Sequence, residues 1–340
     1  MSQLQNHTFY SQIVDLLQSA KQQVLRTVNT TMVVTYFEIG RKIVEEEQHG
    51  KERADYGKSL LKELSKVLTH KFGRGFSVRN IEQMRKFYLV FSKSQTLSAK
   101  SNEKQQTLSA IFKLSWSHYL KLMRIEDENE RQFYEIESIK NNWSVRELTR
   151  QYDTALYTRL SLSRSKEQIK ELATKGQILQ KAKDAIKDPY ILEFIGLPEN
   201  FSYSENDLEQ KLIDKLEHFL LELGNGFTFV ARQKRISFDE KHFRIDLVFY
   251  NRILKSFVLI DLKIGELKHQ DIGQMQMYVN YYDREKRLDG ENKTIGIILC
   301  KDKNESVVKY TLPEHNEQIF ASRYQTILPS KEELKLLINE

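Results

Sequence analysis

Two apolar runs in the second half of the chain constrain its fold more than any other feature. Residues 243–250 and 257–263 are rich in Ile, Val, Leu and Phe, as β-strands are, and only six residues separate them. This separation predicts a β-hairpin, and a symmetric loop pairs Tyr250 with Phe257. Each run nevertheless contains one aspartate, a residue that is depleted in strands. The predicted hairpin therefore carries acidic groups among residues typical of a protein core.

The hairpin register sets the two aspartates, Asp246 and Asp261, directly opposite each other. Opposed residues of antiparallel strands have Cβ atoms about 4.5–5.5 Å apart. Side chains alternate along a strand, so Lys263 points to the same face as Asp261. Two carboxylates held so closely among apolar residues are costly unless positive charge lies near them.

Two interpretations of this cluster stay open on physical grounds. Lys263 and Arg244 could neutralise the aspartates as a structural group of ion pairs. Alternatively, the aspartates hold Mg²⁺ or Mn²⁺, hard cations that take carboxylate oxygens together with water and phosphate. A metal and a lysine would together orient and deprotonate a water and stabilise charge on the phosphate. We favour the metal site.

The length and the prolines predict how the chain is divided. Its 340 residues exceed what one core usually fills, which favours two domains. We predict an all-helical domain over residues 1–186, a linker over residues 187–205 that contains Pro189 and Pro198, and an α/β domain over residues 206–340. The predicted fold class is therefore α+β overall.

The helical prediction rests on apolar side chains spaced three and four residues apart. It places helices at residues 9–24, 32–44, 58–70, 77–91, 115–125, 128–141 and 144–160, and a polar loop at 92–107. A turn at Gly73-Arg74-Gly75 and an N-cap at Ser77 join two of these helices into a helix-turn-helix-like unit. In the second domain we predict a helix at 208–223, strands at 227–236, 243–250, 257–263 and 294–300, and a helix at 271–282.

Charge is distributed unevenly along the chain. The net charge is +6, and residues 51–91 alone hold ten Lys or Arg against four Asp or Glu. Residues 205–340 hold 21 against 23, a local −2. The helix-turn-helix-like unit therefore supplies the nucleic-acid-binding candidates, which are Arg74, Arg79, Arg85 and Lys86. Such cations are equally typical of a solvated helix surface.

The acidic cluster resembles a known motif. Asp246, fourteen intervening residues and then Asp261-Leu262-Lys263 are similar to the core of the PD-(D/E)xK nuclease superfamily. In that superfamily the two acidic positions bind a divalent metal and the lysine positions the attacking water. Ile245 replaces the proline that usually precedes the first aspartate, and Asp261 stands where glutamate is commoner.

A narrower resemblance covers most of the chain. The stretches that carry it are LEQKLIDKLEHFLLELGNGFTFVARQ, IDLVFYN, IGQMQMYVNYYD, YFEIGRKIVEEEQHGKERADYG, GRGFSVRN, LSWSHY and WSVREL. They are similar to bacterial YhcG-type proteins, which join a helical N-terminal domain to a restriction-endonuclease-like PD-(D/E)xK domain.

The resemblance implies further site residues. The superfamily usually adds an acidic residue on the helix before the hairpin, which here is Glu209, with Glu217 as the rival. Gln233 either faces the same pocket or is an ordinary exposed strand residue. Gln274 and Tyr278, one helical turn apart, resemble a Gln-xxx-Tyr element that supports the lysine and contacts DNA; a packing role is the alternative.

These inferences predict a metal-dependent endonuclease that cleaves DNA, with RNA left open as a substrate. Asp246, Asp261 and Glu209 would hold Mg²⁺ or Mn²⁺, and the resemblance also implies a homo-oligomer. The rival function is a nucleic-acid-binding or assembly protein whose nuclease fold does not cleave. A single cysteine, no apolar run of about 20 residues and no secretory leader pattern favour the cytoplasm.

Overall fold

The computed structural model describes residues 2–49, 54–95, 108, 110–161, 166–197, 203–238 and 241–327. It divides into two compact units, Met1–Thr149 and Arg150–Glu340. The first unit is helical, and the second is built on a mixed β-sheet, so the fold is α+β as predicted. No helix in these ranges is long and apolar enough to cross a membrane.

The helices of the first unit pack through aromatic side chains. They are α1 (Ser2–His49), α2 (Ala54–Phe72), α3 (Val78–Gln95), α4 (Trp116–Leu122), α5 (Glu128–Lys140) and the start of α6 (Val145–Asp153). Phe87 of α3 has no exposed surface, and its ring lies 5.1 Å from that of Phe112 and 5.0 Å from that of Tyr119. A Cβ atom at Gly40 would collide with the carbonyl oxygen of Met84, so α1 and α3 approach closely there.

The helix-turn-helix-like unit is present where the sequence predicts it. Helix α2 ends at Phe72, and Gly73 and Gly75 both adopt positive φ in the turn, at 80° and 122°. The hydroxyl of Ser77 accepts a hydrogen bond of 3.3 Å from the backbone N–H of Asn80, which confirms the predicted N-cap.

Helix α1 differs from the prediction in two ways. The stripes predicted at 9–24 and 32–44 lie on one continuous helix instead of two. The first stripe is also exposed, with Leu16 at 66% and Val24 at 61% of their full accessible surface. Apolar periodicity predicts that a helix has an apolar face, but it does not predict what covers that face.

The second unit is a six-stranded sheet with helices on both faces. Its helices after α6 are α7 (Leu156–Ser161), α8 (Lys166–Lys175), α9 (Glu205–Asp214), α10 (Leu216–Leu223), α11 (His269–Glu285) and α12 (Glu305–Thr311). Its strands are β1 (Tyr190–Ile191), β2 (Phe227–Phe238), β3 (Lys241–Asn251), β4 (Ser256–Glu266), β5 (Ile295–Asp302) and β6 (Ile319–Gln325). The strand order is β1-β6-β5-β4-β3-β2; β2, β3 and β4 run antiparallel, and β4, β5, β6 and β1 are parallel.

Alternation along β4 divides the core into two layers. Ile260 and Leu262 belong to the cluster that includes Leu208 and Phe219 from α9 and α10. Leu259 belongs to the cluster formed with α11. The helix predicted at 208–223 is broken into α9 and α10, because Lys215 leaves helical geometry with φ −117° and ψ 33°.

The region predicted as a linker, residues 187–205, belongs in its described part to the sheet unit. Tyr190 and Ile191 form β1, pair with β6 and have no exposed surface. The division into units comes earlier, after Thr149, and buried Arg159 donates to Glu222 of α10 at 2.5 Å, which ties the first helical residues of the second unit to its sheet. Strands β1 and β6 were not predicted. The polar loop predicted at 92–107 is wrong for residues 92–95, which belong to α3, and residues 96–107 lie outside the described part.

Candidate active site

The predicted hairpin register is confirmed, and it ends at the acidic pair. Strands β3 and β4 pair from Asn251–Ser256 to Leu247–Ile260, in the predicted alignment. The next pair would be Asp246 with Asp261, but the ladder stops one step before it. Instead, the carboxylate of Asp246 accepts a 2.8 Å hydrogen bond from the backbone N–H of Leu262. The two aspartates therefore lie where the strands part.

The ladder on the other side of β3 is interrupted at the same residue. A bulge between Phe229 and Ala231 shifts the pairing of β2 with β3 by one residue. Gln233 then stands opposite Asp246, yet the two do not pair, and Gln233 has φ +44° in the left-handed region. Asp246 is thus the point at which both neighbouring strands leave regular geometry.

Gln233 joins Glu209 to Asp246 through its side chain. The amide nitrogen donates to Asp246 Oδ1 at 3.0 Å and also donates to Glu209 Oε2. Glu209 lies on α9 with 3% of its surface exposed, whereas the side chain of its rival Glu217 is 83% exposed. Of the two glutamates, Glu209 is the one at the site. Glu209 Oε1 lies 3.2 Å from Arg232 Nε.

Lys263 faces Asp261 across 2.9 Å, measured from Nζ to Oδ2, and lies 3.6 Å from Glu205 Oε2. Asp261 is 2% exposed. Its Oδ2 atom is in ionic contact with the lysine, but it has no well-directed hydrogen bond from any described residue. Glu209 Oε1 is likewise in ionic contact with Arg232 but has no well-directed hydrogen bond from any described residue.

The environment of the site raises the pKa values of Asp261, Glu209 and Lys263, which favours the neutral form of the two acids and the charged form of the lysine. Burial, reinforced by the charge of Asp246, raises the pKa of Asp261 to about 7. Burial also raises the pKa of Glu209, although the hydrogen bond from Gln233 opposes the shift. Burial alone would lower the pKa of Lys263, but Asp261 and then Glu205 outweigh it and raise that pKa. Lys263 therefore remains an ammonium ion while a buried carboxyl beside it can hold a proton.

Gln274 and Tyr278 support β3 from α11. The Gln274 amide donates to the Tyr278 hydroxyl, which donates to the carbonyl oxygen of Arg244 at 2.9 Å. Tyr278 has no exposed surface. The pair thus anchors the chain two residues before Asp246, and neither side chain hydrogen-bonds to Lys263 within the described residues. This arrangement fits the packing alternative better than direct support of the lysine.

The predicted nucleic-acid-binding cations lie in the first unit and differ among themselves. Arg74, Arg79 and Lys86 are exposed. Arg85 is half-buried, and its Nε lies 2.6 Å from Glu47 Oε2. Its charge is therefore already neutralised within the helical unit.

The acidic side chains fit a hard divalent cation. No three His, Cys, Asp or Glu side chains of the described residues are arranged as a ready metal site. Mg²⁺, however, is commonly bound by one or two carboxylates together with water and phosphate. Asp246 and Asp261 supply such a pair, and the buried oxygens of Asp261 and Glu209 without directed hydrogen bonds are the kind of atom that a cation satisfies.

Sequence comparison places the sheet unit in a class. Residues 183–338 match the YhcG PDDEXK nuclease domain family. The sheet unit is therefore a nuclease domain of the PD-(D/E)xK type, as the motif around Asp246, Asp261 and Lys263 predicts. Residues 12–159 match the DUF1016 N-terminal domain family.

A full-length relative extends the assignment to the whole chain. The Escherichia coli (strain K12) protein named "Putative nuclease YhcG" is 40% identical over 341 residues, covering 95% of this chain and 90% of that protein. The chain belongs to the YhcG family.

Two solved structures align with part of the chain. The crystal structure of a repair endonuclease from Pyrococcus abyssi aligns with 38% of this chain at 17% identity, with a TM-score of 0.27. The structure of an EndoMS–dsDNA2 complex aligns with 39% at 15% identity, with a TM-score of 0.26. The aligned part spans about half of each of those chains.

Proposed function

We propose that this protein is a metal-dependent endonuclease that hydrolyses phosphodiester bonds in DNA. The observation that carries the proposal is the pair Asp246 and Asp261, held where β3 and β4 part, with Lys263 2.9 Å from Asp261. Structural ion pairs alone would leave no reason for a second carboxylate at this point, because it raises the cost of burying the first.

Each residue of the site would have a distinct role. Asp246 and Asp261, assisted by Glu209, would hold Mg²⁺ or Mn²⁺, which when bound supplies a Lewis acid and an acidified water. Lys263 would orient the attacking water and stabilise charge on the phosphate, since it stays protonated beside Asp261. Tyr278 would fix the backbone at Arg244 and thereby the direction of Asp246.

DNA would contact the protein near this site through the β2–β3 arm, residues 234–245. Lys234, Arg235, Lys241 and Arg244 of the arm are exposed, and none forms an ion pair with a described residue. These four cations outnumber the two acidic residues of the arm, Asp239 and Glu240, so its net charge is positive. Exposed cations beside a cleavage site suit a phosphate backbone, which is bound with release of counterions. Arg74, Arg79 and Lys86 of the helical unit remain a second proposed contact.

Variants of the arm test this DNA contact. The triple variant Lys234→Gln, Lys241→Gln and Arg235→Gln should weaken binding to a 30-base-pair duplex and flatten its salt dependence, by roughly one unit of log Kd per log salt for each phosphate that is no longer neutralised. Cleavage at saturating DNA should persist. The control variant neutralises Arg252, Lys293 and Lys309, which removes the same charge elsewhere on the domain. An equal decrease in affinity in both variants would reduce the arm to general surface charge.

Metal-dependent cleavage is the direct test of the proposed function. Purified full-length protein is incubated with linear, nicked and branched DNA and with RNA, in Mg²⁺, in Mn²⁺ or in EDTA. We expect DNA cleavage with either cation and none in EDTA. Binding without cleavage under every condition would instead favour a nucleic-acid-binding or assembly protein. We also propose that the chain forms a homo-oligomer, and light scattering of the purified protein tests this.

A further inference from the structure

A strained residue within strand β2, Gln233, points to a role that its sequence position does not reveal. We infer that Gln233 is a positioning residue, which holds Glu209 and Asp246 in the orientation needed to receive a divalent cation. This inference rests on the proposed function, because it concerns how the acidic side chains of that site are arranged before the cation binds.

The backbone at Gln233 is the first observation. Its φ of +44° lies in the left-handed region, which few residues other than glycine, asparagine and aspartate adopt. The strand pairs on either side, at Arg232–Leu247 and Lys234–Ile245, are regular, so the departure is confined to one residue. A strained residue between two regular strand pairs persists only where the surroundings require it, and such positions cluster at functional sites.

The hydrogen bonds of the Gln233 side chain are the second observation. The amide nitrogen of Gln233 has two N–H donors, and it directs them to two different carboxylates, on Glu209 and on Asp246. Those carboxylates share one amide group and therefore lie close together, so they repel each other when both are ionised. The amide offsets this repulsion at short range and without adding a charge.

The remaining oxygen atoms show what the arrangement leaves available. Gln233 engages Glu209 Oε2 and Asp246 Oδ1, while Glu209 Oε1 keeps no well-directed hydrogen bond from a described residue. A carboxylate oxygen has two acceptor sites, so the bonds from Gln233 fix the direction of each group without exhausting it. Both carboxylates can therefore keep these bonds when a cation binds. Gln233 acts on the cation through its ligands.

The test separates relief of strain from loss of the amide. Gln233→Gly relieves the positive φ but also removes two hydrogen bonds, and these effects oppose each other, so the melting temperature in EDTA should change little. Mn²⁺ affinity, measured by calorimetry without DNA, should fall about 10–100-fold, the range typical for residues that orient metal ligands. Gln233→Asn keeps an amide in a residue that tolerates this backbone conformation, but its side chain is one methylene shorter. Its Mn²⁺ affinity should therefore lie between those of the wild type and Gln233→Gly.

Asn142 in the helical unit provides a matched control, since it has φ +50° outside the sheet. Asn142→Gly should leave Mn²⁺ affinity unchanged. The inference is overturned if Gln233→Gly binds Mn²⁺ as tightly as the wild type, or if affinity and melting temperature fall together. Failure of the wild type itself to bind Mn²⁺ would overturn the proposed function along with it, so the two failures are distinguishable.

Discussion

Glu222 and Asp261 are both buried carboxylates of the sheet unit, and the charges that surround them are opposite in balance. Glu222 of α10 faces an excess of positive charge: Arg159 Nη1 lies 2.5 Å and Arg150 Nη1 3.3 Å from its oxygens, and the backbone N–H of Ile191 donates to it at 3.1 Å. Burial alone would raise the pKa of Glu222, but Arg159, followed by Lys187 and Arg150, lowers it to about 2.

Asp261 of β4 faces a deficit of positive charge. Its cationic neighbour is Lys263, while a second carboxylate, Asp246, lies beside it. The pKa of Asp261 is raised to about 7, in the direction opposite to that of Glu222. Both residues are equally inaccessible to water, so burial does not distinguish them; the balance of neighbouring charge does.

The contrast distinguishes a structural ion cluster from the cation site that we propose. The Glu222 cluster is complete, because each oxygen has partners and the negative charge is more than compensated. The Asp246–Asp261 pair is incomplete and would gain most from an added positive charge. A perturbed pKa that follows from a shortage of charge is therefore a better indicator of function than burial of a carboxylate alone.

The largest expected difference between the two clusters is in activity. Asp261→Ala and Asp246→Ala should abolish cleavage and weaken Mn²⁺ binding, because each removes a proposed ligand. The melting temperature in EDTA should hold or rise, since the repulsion between the carboxylates disappears. Single-turnover cleavage assays and thermal unfolding measure the two effects. Cleavage at the wild-type rate by either variant would remove the pair from the active site.

Lys263 should show the next largest effect. Lys263→Ala should slow single-turnover cleavage by about 10²–10⁴-fold, the usual loss for a positioned acid–base or electrostatic group. DNA and Mn²⁺ should still bind. Lys263→Arg should restore little, because a planar guanidinium cannot take the place of the ammonium. Lys303→Ala is the control, since Lys303 also pairs with carboxylates, Asp188 and Glu305, but outside the site.

A role for Lys263 in stability alone predicts another pattern. Activity would then fall only as far as the folded fraction does, and arginine would restore both. The comparison of rate with melting temperature across the two variants therefore decides between catalysis and a plain ion pair.

The sequence alone predicted that Asp246 and Asp261 lie together, because their arrangement depends only on the hairpin that contains them. A six-residue separation fixes a hairpin register, and the register brings Asp246 to Asp261 without information from elsewhere in the chain. The alternation of strand side chains then adds Lys263. For Glu209, the family resemblance supplied the candidate, while its choice over Glu217 needed the packed helix.

The rest depends on features that leave no local pattern. Gln233 faces Asp246 only because β2 gains one residue in a bulge near Val230; without the bulge, Arg232 would stand there. No glycine marks that bulge. The Glu222 cluster was missed because its arginines lie 63 and 72 residues away in the chain. Strand β1 has only two residues, too few for any periodicity to be visible.

For the free energy of unfolding, unlike activity, the larger loss should come from the Glu222 cluster and not from the Asp246–Asp261 pair. Glu222→Ala leaves the buried guanidinium of Arg159 without its partner, so the free energy of unfolding should fall by about 3–5 kcal/mol. Glu217→Ala, on the exposed side of the same helix, should change it by less than about 0.5 kcal/mol. Urea denaturation of the three proteins in EDTA measures both changes. A mild effect at Glu222 would mean that the cluster is not what holds residues 150–161 to the sheet.

The smallest expected effect is a difference in pH dependence, and its sign follows from the two pKa shifts. A carboxyl whose folded-state pKa is raised to about 7 holds its proton where the unfolded chain, near pKa 3.9, has lost it. Asp261 therefore contributes stability that is complete below about pH 4 and is lost as the pH rises toward 7, by at most about 1.4 kcal/mol per unit. Glu222 has its pKa lowered to about 2, so its contribution is present above about pH 4.3 and is lost only as the pH falls toward 2.

Between pH 4.5 and 7 in metal-free buffer, the wild type should lose stability relative to Asp261→Asn, whereas Glu222 should contribute equally throughout. Added Mn²⁺ should abolish the decline, because a bound cation takes the place of the proton. If the free energy of unfolding changes with pH in the same way for the wild type and for Asp261→Asn, then Asp261 titrates as an ordinary carboxyl. The contrast with Glu222 would then rest on geometry alone.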